Sequence, residues 1–218
     1  MEKKISVIIP AFNEENNIEV VIKKAKACEY VEEILVVDNL STDKTDEVAL
    51  KAGAKVVKCN KQGKGYAMEV GIKAVENDII VFLDADIPNY SEDIVYKLTK
   101  PIIENDIDFV KSTFDRNGGR VTELVAKPLL KLLFPDLEKY SQPLSGMIAA
   151  KKKIFERLEF EKDYGVDIGI LIDVFNMNCS MEEVKVGTLE NKSKDWKALD
   201  NMSIEVMRAI LKRVEFPM

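Results

Sequence analysis

The chain has 218 residues, 46% hydrophobic and 32% charged, with a formal net charge of −6. That balance supports a buried core and excludes a disordered chain, and the acidic excess leaves nucleic acid no electrostatic footprint. Histidine is absent, which excludes Ser-His-Asp and Cys-His catalysis, HExxH metalloproteases and zinc sites with imidazole ligands.

A strand is expected over residues 4–9, because Pro10 and Asn13-Glu14-Glu15 end an apolar run that no signal-peptide cleavage site follows. A helix over 18–27, a strand over 33–38, a helix over 44–52, a strand over 55–58, a helix over 65–75 and a strand over 78–84 follow. The runs around Ile8, Val36 and Val81 are continuously apolar, as parallel strands covered on both faces are. Strands alternating with helices of about ten residues argue for right-handed βαβ units. The expected fold class is therefore α/β, a Rossmann-like doubly wound and mostly parallel sheet flanked by helices.

The second half is less regular. A helix over 91–104, a strand over 107–112 and a polar loop over 115–120 with Gly118-Gly119 as its breaker are expected. The apolar helix over 121–133 is interrupted at Pro128. A strand over 146–150, a helix over 166–176, a strand over 183–187 and a closing helix over 196–213 complete the chain. No linker separates independent units, so one domain over 1–218 is expected. Lys151-Lys152-Lys153 reads as a solvated helix start. Trp196, Met202 and Met207 read as core or dimer contacts, and part of the 121–133 stripe could be covered by a partner subunit. No apolar run reaches the roughly 18 residues of a spanning helix, so no integral membrane segment is expected. The widely spaced Cys28, Cys59 and Cys179 favour reduced thiols and a cytoplasmic setting.

Ligands of open α/β sheets sit beyond the carboxyl ends of the strands. Here those ends read Pro10-Ala11-Phe12-Asn13-Glu14, Asp38-Asn39 and Asp84-Ala85-Asp86. Residues i and i+2 of extended chain project to one side, so Asp84 and Asp86 could share Mg²⁺ or Mn²⁺. A plain turn with one Asp capping the next helix is the competing reading. Gly63-Lys64-Gly65 matches neither a Walker A loop nor a dinucleotide fingerprint, yet Lys64 could lend positive potential to a diphosphate.

The segments VIIPAFNEE, VVDNLSTDKT, GKGYAM and FLDAD resemble, in order and spacing, the family 2 nucleotide-diphospho-sugar glycosyltransferases with the GT-A fold. The resemblance implies a nucleotide-sugar-binding half over 1–106 and an acceptor-binding half over 107–218. It implies a donor site at Pro10, Ala11, Asn13, Glu14, Asp38, Asn39, Lys64, Asp84 and Ala85, with the metal on Asp84 and Asp86. The segments GGRVTEL, QPLSG and YGVDIG are similar to the subgroup of glucosyl-3-phosphoglycerate synthases, which move glucose from an NDP-glucose to 3-phosphoglycerate. That likeness places the acceptor on Gly119, Arg120 and Thr122, and the donor along the backbone of Leu144, Ser145 and Gly146.

Asp167 and Lys64 are implied as the catalytic pair, Asp167 also positioning sugar and acceptor, in a reaction that retains anomeric configuration. Three positions depart from the subgroup: Asn191 stands at the place of its third metal ligand, a histidine; Leu40 replaces a glycine; Asp167 replaces a glutamate. With no histidine to titrate, metal binding is expected to be flat in pH near neutrality. The expected partners are an NDP-sugar (UDP-glucose or a GDP-sugar), a small phosphorylated acceptor and a second copy of the chain. A polyprenyl- or dolichyl-phosphate sugar transferase and a catalytically silent sugar-nucleotide-binding protein are the alternatives.

Overall fold

Strand β1 (Ile5–Ala11) lies inside a seven-stranded sheet, paired in parallel with β2 (Val31–Asp38) on one side and β4 (Ile79–Phe82) on the other. The computed structural model describes residues 4–115, 119–189 and 195–214. Beyond β2 lies β3 (Lys55–Lys58), and β5 (Phe109–Asp115), β6 (Ile148–Lys151) and β7 (Met181–Thr188) complete the order β3-β2-β1-β4-β6-β5-β7. Only β6 runs antiparallel to its neighbours among these strands, and β7 returns parallel to β5. The sheet is doubly wound and mostly parallel.

The helices are α1 (Ile18–Lys26), α2 (Thr45–Lys51), α3 (Lys64–Ala74), α4 (Ile94–Asn105), α5 (Lys127–Leu133), α6 (Lys152–Phe155), α7 (Val166–Asn176) and α8 (Trp196–Leu211). Successive strand residues point to opposite faces. Val7 and Ile9 therefore join one core with α1, α2 and α4, while Ile8 joins the other with α3, α5, α7 and α8. In α1 the buried residues Ile18, Val21, Ile22 and Ala25 fall at helical spacing, which is why that segment buries one stripe and leaves its lysines outside.

The expected interruption at Pro128 takes a specific form. Proline has no N–H to give the carbonyl four residues back, and the preceding turn, Thr122–Ala126, is a π-helix closed by the Lys127 amide on the Thr122 carbonyl. This wider turn leads straight into α5, so the helix continues rather than breaking. Of the 115–120 loop, β5 takes Asp115, and residues 116–118, with Gly118, lie outside those described. The lysine triplet is a correction, since only Lys153 is exposed: Lys151 pairs with Asp106 and Asp108, and Lys152 donates to the Val75 carbonyl at 2.7 Å. Trp196 stands 75% exposed, which removes the core half of its expected role and leaves the dimer contact open.

Leu40 adopts φ 65° and is 47% exposed. A left-handed backbone costs a non-glycine residue roughly 1–2 kcal/mol, and half of this side chain already faces water. Leu40→Gly is therefore expected to relieve about 1–2 kcal/mol of strain, of which the extra freedom of unfolded glycine takes back about 0.5–1 kcal/mol, leaving a net gain of about 0.5–1 kcal/mol and a Tm rise of about 1–4 °C. A lower Tm in a thermal melt would contradict strain at this turn.

Candidate active site

The chain leaves β1 toward β2 on one side and later reaches β4 on the other, so a crevice opens beyond the carboxyl ends of β1 and β4. It forms a cleft of about 750 Å³ whose walls come from both halves of the chain. Pro10, Ala11, Glu14, Asn39, Lys64, Asp84, Ala85 and Asp86 line one side; Gly119, Arg120, Thr122, Leu144, Ser145 and Asp167 complete it.

Asn13, Asp38 and Gly146 are absent from that lining, and the first two have local engagements. The Asn13 side-chain Oδ1 accepts from the Thr42 amide at 2.8 Å, tying the β1 loop to the β2 loop. Asp38 is 1% exposed, accepts from the Ser41 amide at 3.1 Å and pairs with Lys58 at 3.0 Å. Asn39 spans the gap between these loops and the lysine turn, donating to the Lys61 carbonyl at 2.6 Å and accepting from the Gly63 amide at 2.8 Å. Asn191, the place of the third metal ligand, lies outside the described residues.

At the centre, the Lys64 ammonium donates to Asp84 at 2.8 Å and to both oxygens of Asp167, at 2.9 and 3.1 Å. Burial pulls this ammonium down, but the two carboxylates outweigh it and hold Lys64 far above the usual lysine range. It is a fixed cation. Asp167, in the first turn of α7, accepts from Lys64 on both its carboxylate oxygens. Room for the Lys64–Asp84 pair exists because residue 146 is glycine: a Cβ there would sit on both the ammonium and the carboxylate. Ser145 turns inward, sharing a 2.6 Å hydrogen bond with Ser112 and accepting from the Met147 amide at 3.2 Å.

The lysine turn is clamped from behind. Gly65 donates its amide to the Lys162 carbonyl at 3.0 Å, and a Cβ at Gly65 would occupy the Glu161 carbonyl. Glu161 is gripped by Arg213, whose guanidinium also makes a two-pronged contact with Asp173 of α7 at 2.7 and 2.6 Å.

Asp86 lines the cleft, beyond Asp84 and across from Glu14. Loss of hydration, then the negative charges of Asp84 and Glu14, push its carboxyl up to about 6. Among the described residues no three acidic or thiol side chains converge into a metal set. Two carboxylates whose mutual repulsion Lys64 only partly relieves nevertheless suit a hard divalent ion, since Mg²⁺ keeps waters and substrate phosphates as its other ligands. The donor set fits.

Several cleft residues escaped the sequence reading. Tyr90, 2% exposed, braces Asp84 from below, its hydroxyl accepting from the Asp84 amide and donating to the Asp84 carbonyl, both at 3.1 Å. Lys111 of β5 is wholly buried beneath Asp167; desolvation brings its ammonium down to about 8 against the opposing pull of Asp167. Met202 and Leu199 of α8 line the cleft instead of serving only the core, and the Arg120 guanidinium lies 4.8 Å from the Trp196 ring centroid. The Lys111 and Arg120 contacts join residues far apart in sequence, and although Tyr90 is only six residues from Asp84, no local pattern announces any of them.

Residues 6–161 match the model of glycosyl transferase family 2, and the chain belongs to that family of glycosyltransferases. Within it, the chain is 35% identical to the glucosyl-3-phosphoglycerate synthase of Petrotoga mobilis, over 97% of this chain and 74% of that one. The crystal structure of the Mycobacterium tuberculosis glucosyl-3-phosphoglycerate synthase in complex with phosphoglyceric acid is similar at a TM-score of 0.94 and 38% identity, covering 99% of this chain and 81% of that one. The same enzyme in complex with Mn²⁺, uridine diphosphate and phosphoglyceric acid matches at 0.93 and 38% identity, covering 99% and 80%.

Proposed function

We propose that this protein transfers glucose from UDP-glucose to 3-phosphoglycerate, with Mg²⁺ or Mn²⁺ bound at Asp84-x-Asp86. The observation that carries the reading is one cleft holding a fixed cation between two carboxylates on one side and Gly119-Arg120-Val121-Thr122 at a helix start on the other. That pairing suits a diphosphate donor facing a phosphorylated acceptor. The relatives' complexes with Mn²⁺, uridine diphosphate and phosphoglyceric acid support the same pairing of ligands.

In this reading Asp84 and Asp86 hold the metal, which when bound neutralises the diphosphate as it leaves. Lys64 adds a permanent positive charge for the same oxygens, and Asp167 keeps that ammonium in place while its carboxylate faces the sugar. Asn39, the backbone of Leu144–Gly146, Pro10, Ala11 and Glu14 cradle the donor; Gly119, Arg120 and Thr122 take the acceptor phosphate. Glucosyl transfer retains anomeric configuration, with the departing phosphate accepting the proton of the acceptor hydroxyl. The single sheet crosses the 106/107 boundary, supporting one domain with a donor half and an acceptor half. Leu124 and Leu132, 73% and 77% exposed on the helix that follows Arg120, support a homodimer, and the reduced cysteines a cytoplasmic enzyme.

Incubation of UDP-glucose, 3-phosphoglycerate and Mn²⁺ with the protein is expected to yield glucosyl-3-phosphoglycerate and UDP in equal amounts. UDP release without a phosphoglycerate product would refute the acceptor. The metal requirement carries a pH signature that differs from the flat response expected of a chain without histidine. A proton on Asp86 competes with the metal, so affinity holds above the group's value of about 6 and falls below it. The slope should approach about tenfold per pH unit. Mn²⁺ titrations at pH 7 and pH 5 read it directly, and equal affinities would remove Asp86 from the metal site.

A further inference from the structure

Strand β5 carries a lysine at a position with no access to water. Lys111 is 0% exposed and sits in register with Ile148 of β6 and Glu183 of β7. A buried ammonium gives up its hydration, and an apolar chain of similar length would fill the space without that loss. The Lys111 Nζ donates to the backbone carbonyl of Asp167 at 3.1 Å, a neutral acceptor that offsets little of the lost solvation. That carbonyl belongs to the first turn of α7, the turn whose carboxylate receives Lys64. The charged groups around it are Asp167 from α7, Lys64 from α3, Asp84 beyond β4 and Glu183 from β7.

Core packing gives no reason for a cation here, whereas the site gives one. We propose that Lys111 is a positioning residue for the reaction: its ammonium pins the start of α7, and through Asp167 it holds Lys64 in the cleft. This rests on the proposed glucosyl transfer, in which Lys64 and Asp167 serve the donor.

Lys111→Met separates this role from a structural one, because methionine matches the length and removes only the charge and the donor. Removing a buried charge for an apolar side chain of similar volume is often neutral or stabilising, so Tm is expected to stay level or rise. At the same time kcat should fall at least about tenfold, more than the KM for UDP-glucose rises. Calorimetric affinity for UDP with Mn²⁺ should weaken about threefold as Lys64 loses its fixed place. A drop in Tm with kcat per folded molecule unchanged would make Lys111 merely structural and overturn the proposal. Unchanged kcat together with unchanged UDP affinity would overturn it as well. A wild-type protein that transfers nothing to 3-phosphoglycerate defeats the functional reading alone, since the calorimetric comparison still decides Lys111.

Discussion

Asp86→Ala is expected to abolish metal-dependent glucosyl transfer, by about 10³-fold or more, while the protein stays folded. Asp86 lines the cleft, and its carboxyl is raised to about 6 by the hydration lost there and by its acidic neighbours Asp84 and Glu14. A carboxylate held among like charges weakens the fold when ionised, so its removal should leave Tm level or higher at neutral pH. The same removal takes away half of the protein's charge for the metal, leaving Asp84 already engaged with Lys64 at 2.8 Å. Calorimetry should then show UDP binding that no longer depends on Mn²⁺. Asp86→Asn keeps the shape without the charge and should behave alike. Activity near wild type in either variant, or full wild-type activity in EDTA, would end the metal assignment.

Arg120→Ala is expected to raise the KM for 3-phosphoglycerate while leaving Mn²⁺-dependent UDP binding nearly unchanged. Arg120 opens the helical segment that runs into the π-turn, beside Gly119 and the buried Thr122, on the wall of the cleft formed by the second half of the chain. The amides of a first helical turn, a guanidinium and a hydroxyl can together hold a phosphate. A charge-assisted contact contributes about 1.5–3 kcal/mol, so the expected rise is about 10- to 150-fold. The chain has one tryptophan, and the Arg120 guanidinium lies over its ring, 4.8 Å from the centroid. Phosphoglycerate binding should therefore change the Trp196 fluorescence of the wild type and leave that of Arg120→Ala unaltered. Equal losses of donor and acceptor affinity would show that Arg120 supports the cleft as a whole rather than the acceptor phosphate.

Much of the fold was legible because the governing interactions are local. Continuous apolar runs at β1, β2 and β4 specify strands covered on both faces, and the spacing of Ile18, Val21, Ile22 and Ala25 specifies a helix with one buried stripe. The segments that resemble those of the glycosyltransferase family pointed to Asp84, Asp86, Lys64, Arg120 and Asp167, and the cleft brings those five together. Pro128 announced an interruption but not its kind, because whether a missing N–H produces a kink or a π-turn depends on what packs around the helix.

What the amino-acid order determined by itself was the α/β alternation, the exclusion of imidazole chemistry and the short acidic and glycine-rich segments at the strand ends. Their spacing along the chain carries that information. Only the tertiary structure decided that Asn13 ties two loops together and Asp38 pairs with Lys58, both outside the cleft lining, that Tyr90 braces Asp84, and that Lys111 sits dry beneath Asp167. Each is a contact between side chains or backbone groups brought together by folding, and for Lys111 the partner lies 56 residues away. Burial and charge at such a point are sums over neighbours from different elements, so the same lysine reads as an ordinary strand residue in the sequence and as a desolvated cation in the fold.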